Sequence, residues 1–164
     1  MPPRESLNVN QSRLLLRLEL RSNPELLCVV RGAIGQLAEA VGFSNEDCRA
    51  VVLAVDEALT NIIRHAYDGQ GDRPIHAEFR EVDAQHDGAL KKALEITLED
   101  EGNEVDRAKL CGRPLEELRP GGLGLHFIRE SMDTVEFRRI EGRNQLRLTK
   151  FVDVAKLEKG LKEK

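Results

Sequence analysis

Over residues 13–20, Leu14, Leu16, Leu18 and Leu20 alternate with polar positions that include Arg17 and Glu19, the period of two that marks a strand with one buried face. The period then changes. Asn23-Pro24 supplies an N-cap followed by proline at the first helical position, and Leu26, Leu27, Val30, Ile34, Leu37 and Val41 recur at helical spacing up to a stop near Gly42. A second helix opens at Ser44, where Ser-Asn-Glu-Asp is a capping box with aspartate in place of the usual glutamate. Val51, Ala54, Val55, Ala58, Leu59 and Ile62 line its apolar face, and it is predicted to end close to Tyr67, before the turn chemistry of Asp68-Gly69-Gln70-Gly71.

Two strands follow at about 74–82 and 92–100, joined by the polar segment 83–88, which reads as a long, mobile hairpin loop. In the second of them Leu94, Ile96, Leu98 and Asp100 share one face, so an apolar face that meets helices ends in a carboxylate. Residues 101–121 hold glycines, prolines and charges without a period and read as a long functional loop. A third helix is predicted from Gly122 to Met132, then strands at about 134–140 and 145–152 around the turn Glu141-Gly142-Arg143-Asn144. Residues 1–12 read as a flexible N-terminus and 153–164 as a charged, lysine-rich tail. The element order predicts an α+β fold, a two-layer α/β sandwich whose mixed, mostly antiparallel sheet is covered on one face by helices.

Length and charge narrow the function classes. A chain of 164 residues fits one domain. Its net charge of −4, with basic residues scattered rather than striped, argues against a nucleic-acid binder and for a protein or small-ligand partner. No stretch reaches the roughly 18 apolar residues of a membrane span and the N-terminus lacks an apolar signal core, so a cytoplasmic location is expected. Cys28, Cys48 and Cys111 fit neither a disulfide framework nor a zinc site and read as reduced thiols, Cys28 and Cys48 as buried filler. The histidines form no metal-ligand pair.

Three segments carry candidate chemistry. Glu57 and Asn61 lie four residues apart, on one helical face, where two side chains can act on one ligand; the bland alternative is a solvated pair. Asp100 can accept a hydrogen bond from an exocyclic amine, and Gly102 lets backbone approach a flat ring; the alternative is a strand-ending turn. Gly121-Gly122-Leu123-Gly124-Leu125 opens a helix, where backbone N–H groups form a cradle for phosphate oxygens; it does not follow a strand as a P-loop or Rossmann turn does.

In this order the segments resemble the N box, G1 box and G2 box of the GHKL ATPase superfamily (the Bergerat ATP-binding fold) over about residues 13–152. The resemblance is closest to the anti-sigma regulatory factors that are serine-protein kinases, whose helical segment is similar to Asp56-Glu57-Ala58-Leu59-Thr60-Asn61-Ile62-Ile63-Arg64-His65-Ala66-Tyr67 here. It implies ATP and Mg²⁺ as cofactors, with Asn61 holding the metal, Glu57 the general base, Asp100 on the adenine amine and Gly102 bordering the ring. Gly121, Gly122, Leu123, Gly124 and Leu125 would then wrap the phosphates, 101–121 would form an ATP lid, and Arg119 would reach the γ-phosphate. One departure is Glu104, which stands where many relatives carry a second G1-box glycine.

The implied activity is serine/threonine phosphorylation of a STAS-type anti-anti-sigma partner, with a sigma factor as the second partner, and the family's habit implies a homodimer. Two alternatives stand beside it: a non-catalytic module that uses ATP to order its lid for partner binding, and a detached histidine-kinase catalytic domain. The second is weakened because no dimerisation helix with a phospho-accepting histidine precedes the first strand.

Overall fold

The computed structural model describes residues 11–104 and 123–153. Strand β1 (Gln11–Arg21) leads through a 3₁₀ turn (Pro24–Leu26) into helix α1 (Leu27–Val41) and then α2 (Asn45–Asn61). Strands β2 (Pro74–His86) and β3 (Ala89–Asp100), helix α3 (Leu123–Ser131) and strands β4 (Thr134–Ile140) and β5 (Arg143–Phe151) complete the described order. One five-stranded sheet runs β1-β2-β3-β5-β4.

Local chemistry explains where the first two helices begin and end. Asn23 Oδ1 accepts from Glu25 N at 3.0 Å. Gly42, at φ 103°, ends α1, and its N–H bonds to the carbonyls of Ala38 and Glu39. Ser44 Oγ accepts from Asp47 N at 3.1 Å and donates to Asp47 Oδ2 at 2.8 Å, so Ser44 caps α2 and the Asp47 carboxylate bonds back to the capping hydroxyl.

The buried faces of α1 and α2, with Ile34, Ala38, Val51, Val55 and Leu59, pack on Ile75, Phe79, Leu94, Ile96, Leu98 and Leu148 of the sheet. This is the two-layer arrangement read from the sequence. Cys28 departs from expectation: it is exposed, one residue off the stripe of Leu27, Val30, Ile34, Ala38 and Val41, while Cys48 is buried and its thiol is pushed up by that burial.

The sheet is antiparallel at every neighbouring pair of described strands, where a mixed, mostly antiparallel one is predicted. The α1–α2 pair carries the chain out and back, so β2 re-enters beside the end of β1: Arg21 pairs with Pro74, and Ser22 N donates to Arg73 O at 2.8 Å. Strand β4 runs in the direction of β3, but β5 folds back between them and removes the only parallel contact the order would have made.

The β2–β3 connection also differs. The strands continue to His86 and from Ala89, joined by Asp87 at φ 52° and Gly88 at φ 75°, the two left-handed residues of a tight hairpin. No long loop is present there. Helix α2 ends sooner than its apolar period predicts: regular α-helix stops at Asn61, and Ile62–Ala66 form a π-helical turn in which Tyr67 N bonds to Ile62 O at 3.0 Å. Residues 105–122 and 154–164, with Cys111, Arg119, Gly121, Gly122 and most of the expected lid and tail, lie outside the described residues.

Candidate functional site

Helix α2 presents Glu57 and Asn61 on one face, both half-buried, and α3 packs against that helix. The meeting point is Gly124 in the first turn of α3. A Cβ built on Gly124 would lie 2.7 Å from Glu57 Oε2 and 3.5 Å from both Asn61 Nδ2 and Oδ1. Any side chain there would push into the two polar groups, and glycine alone lets the helix N-terminus approach them. Neither Glu57 nor Asn61 has a hydrogen-bonded side-chain partner among the described residues. Leu123 is exposed and Leu125 half-buried in the same turn. The neighbouring Asp56 is turned elsewhere: its Oδ1 accepts from Arg31 Nη1 of α1 at 2.8 Å, an ion pair that ties the two helices together.

The π turn leads from Asn61 to a second group of polar contacts. Asp100 closes the apolar row of β3 and is itself buried. Its Oδ1 accepts from Gly102 N and from Asn144 Nδ2, each at 2.8 Å. Its Oδ2 accepts nothing from the described residues. Burial pushes the Asp100 carboxyl above its usual range, against the opposing pull of the Asn144 and Gly102 hydrogen bonds and the Arg139 charge.

Gly102 passes so close to the π turn that a Cβ would lie 2.6 Å from the carbonyl carbon of Ala66 and 2.7 Å from its Cβ. Asn103 N bonds to Ala66 O at 2.8 Å. Tyr67, the chain's one tyrosine, is buried, donates its hydroxyl to Pro74 O at 2.5 Å and accepts from Glu101 N at 2.9 Å. Burial raises its phenol, the Glu101 N–H bond opposing. One short turn therefore carries Asn61 at its start and the anchors of the Asp100–Asn103 segment at its end.

The model of the histidine kinase-like ATPase domain matches residues 20–150, most of the chain. The chain belongs to this family. The chain is similar to several serine-protein kinases RsbW. That of Listeria innocua serovar 6a is 29% identical over 155 residues, covering 90% of this chain and 93% of its own. That of Halalkalibacterium halodurans is 30% identical over 145 residues, covering 84% and 83%. These place the chain in the anti-sigma regulatory factor and serine-protein kinase branch of the GHKL superfamily. The fold is shared with a chain in the crystal structure of the SiaB-SiaC complex from Pseudomonas aeruginosa, at TM-score 0.52 and 19% identity over 85% of this chain and 91% of that one. No helix among the described residues is long and apolar enough to cross a membrane.

Of the residues singled out in the sequence, the histidine kinase-like fold brings Glu57, Asn61 and Gly124 together and sets Asp100 and Gly102 at the far end of the π turn. Three contributors escaped the sequence reading. Tyr67 reads there as a helix end, Ala66 only as part of the helical segment before it and Asn144 as a turn residue. The signal for Asn144 lies in the strand register, since it pairs with Asp100 across β3 and β5. Glu104 is exposed at the last described position before 105.

Proposed function

We propose that the chain is an ATP-dependent serine/threonine protein kinase of the anti-sigma type, which phosphorylates a STAS-type anti-anti-sigma protein and so controls the availability of a sigma factor. The observation that carries this reading is the convergence of Glu57 and Asn61 on Gly124 at the N-terminus of α3. A carboxylate, an amide and a set of helix N–H groups meet at one point, the parts that phosphoryl transfer needs. The names of the RsbW relatives support the reaction class.

Asp100, with Oδ2 free among the described residues, would hold the exocyclic amine of ATP, and Gly102 would border its ring. Leu123, Gly124 and Leu125 in the first turn of α3 would hold its phosphates; the expected contributions of Gly121, Gly122 and most of the 101–121 lid lie outside the described residues. Among the described residues no group of three or more His, Cys, Asp or Glu could hold a metal ion. An amide oxygen from Asn61 fits Mg²⁺, which takes few protein ligands and completes its shell with phosphates and water. Asn61 would hold the ion where its charge could screen the negative charge of the phosphates.

Glu57 accepts the proton of the partner's serine or threonine hydroxyl as that oxygen bonds to the γ-phosphorus. The bond from the γ-phosphorus to the bridging oxygen breaks, and ADP leaves with the electron pair. Glu57→Gln keeps size and helix propensity but cannot accept the proton. Incubation with labelled ATP and candidate STAS proteins should show transfer to serine or threonine, falling by about 10²–10⁴-fold in the variant with nucleotide affinity little changed. Wild-type transfer to histidine, or tight ATP binding without transfer to any candidate, would replace this reading with a histidine kinase or a binding module respectively. A variant as fast as wild type in single turnovers would remove Glu57 from the role of base.

A further inference from the structure

Asp100 is the inner end of a chain of side chains that reaches the surface. Asn144, buried at the start of β5, donates both N–H groups of its amide, to Asp100 Oδ1 at 2.8 Å and to Asn103 O at 2.9 Å. Its own Oδ1 accepts from Arg139 Nη1 at 2.6 Å, and the same nitrogen lies 3.4 Å from Gly102 O. Arg139 and Asn144 are register partners in the β4–β5 hairpin, so a two-residue turn at Glu141-Gly142 sets their separation.

The chemistry of this chain is directional. Turned over, the Asn144 amide would set its oxygen against two acceptors, and in the observed orientation a guanidinium on Oδ1 polarises the amide and strengthens both N–H donors. With Oδ1 taken by Asn144 and Gly102 N, the plane of the Asp100 carboxylate is fixed and Oδ2 is left as its free acceptor edge among the described residues. Such an edge accepts from a ring amine and repels a ring carbonyl.

We propose that Arg139 is a positioning residue that acts through Asn144 to fix the Asp100 carboxylate, and thereby selects a purine bearing an exocyclic amine over one bearing a carbonyl at the same place. This rests on the ATP-site reading above and extends it to a residue of β4 that reaches Asp100 through the Asn144 amide.

The probe is a pair of nucleotides that differ at that one group, ATP and inosine triphosphate, titrated against wild type, Arg139→Met, Asn144→Leu and the double variant. Arg139 is exposed, so its replacement leaves the core untouched. Wild type should prefer ATP, and Arg139→Met should shrink the ATP-to-ITP affinity ratio by about three- to tenfold, the worth of one orienting hydrogen bond. In the Asn144→Leu background the Arg139 change should have no further effect, because the link it acts through is gone.

An Arg139→Met protein that keeps the wild-type ratio overturns the proposal. So does a double variant in which the two losses multiply, which would make Arg139 a direct charge on Asp100. Should Asn144→Leu fail to fold, the ratio measured on Arg139→Met decides alone. Wild type that binds ATP and ITP equally, or binds neither, would instead overturn the ATP-site reading itself.

Discussion

Gly124 and Glu57 share a space that holds no additional atom: a Cβ on the glycine would stand 2.7 Å from the carboxylate oxygen Oε2. The obstacle is the far end of a flexible side chain, so Gly124→Ala should leave stability within about 1 kcal/mol of wild type, with helix propensity even favouring alanine. Phosphate transfer should fall by about 10²-fold, because a shift of an ångström in a catalytic group is costly. Urea midpoints and single-turnover rates measured on the same protein separate the two effects. A variant with wild-type rates would mean that the carboxylate does not act from this position.

Gly102→Ala should behave in the opposite way. Its added carbon meets backbone, the carbonyl carbon of Ala66 at 2.6 Å, and backbone cannot swing aside. Either β3 or the π turn must move, at a cost of about 1–3 kcal/mol. A lowered denaturation midpoint with an unchanged m-value is the expected result. An undisturbed midpoint would show that the two segments separate without penalty.

The buried carboxyl of Asp100 sets the sign of a pH effect. Its folded value lies above the ordinary 3.8, so the stability linked to its protonated form is complete below 3.8 and is lost as pH rises through the folded value. Asp100→Asn keeps an acceptor for Gly102 N and Asn144 Nδ2 but stays neutral throughout. Its stability advantage over wild type should therefore grow as pH rises from about 4 and then level off. ATP affinity should drop by about 10- to 100-fold, since an amide NH₂ can present itself to the ring amine. Urea midpoints across that range and a nucleotide titration check both halves. Parallel pH profiles for the two proteins would contradict the burial argument.

Asn61→Ala removes an amide at the last α-helical residue of α2, before the π turn. Calorimetric titration with ATP should show the magnesium-dependent part of binding lost and the magnesium-independent part kept, with the fold intact by circular dichroism. Equal affinities for wild type and variant with and without the metal would withdraw the metal role from Asn61.

Strong local signals were legible in the sequence, and contacts that depend on register were not. Ser44 and Gly42 act on their own helices through bonds to residues three or four positions away, so the sequence shows both ends. The apolar row ending in Asp100 is visible because a strand places every second residue on one face. In the β2–β3 connection the polar run 83–88 outweighed Asp87-Gly88, although that pair is the stronger hairpin signal and the strands extend to meet it. The π turn leaves no trace because Ile62, Ile63 and Ala66 are all buried and continue an apolar pattern that a regular helix would share. Asp56 and Glu57 are adjacent in one motif, but adjacent helical residues point in different directions, and the structure sends Asp56 to Arg31 and Glu57 to Gly124. Asn144 acts 44 positions from Asp100, which pattern along the chain does not reveal.

The π turn has a consequence for insertions and deletions. Each residue of a regular helix advances the chain by about 100° around the axis. Deleting one residue from Ile62–Ala66 would let α2 wind on regularly and would keep every apolar side chain type in the segment. Ala66 and Tyr67 would then leave the helix at a different angle, turning the carbonyl away from Asn103 N and the phenol away from Pro74 O and Glu101 N. Asn61 and the anchors of the Asp100–Asn103 segment are thus in phase through a single residue. A shortened chain would be able to keep a well-packed helix and a well-formed sheet and still lose the alignment of Asn61 with Asp100.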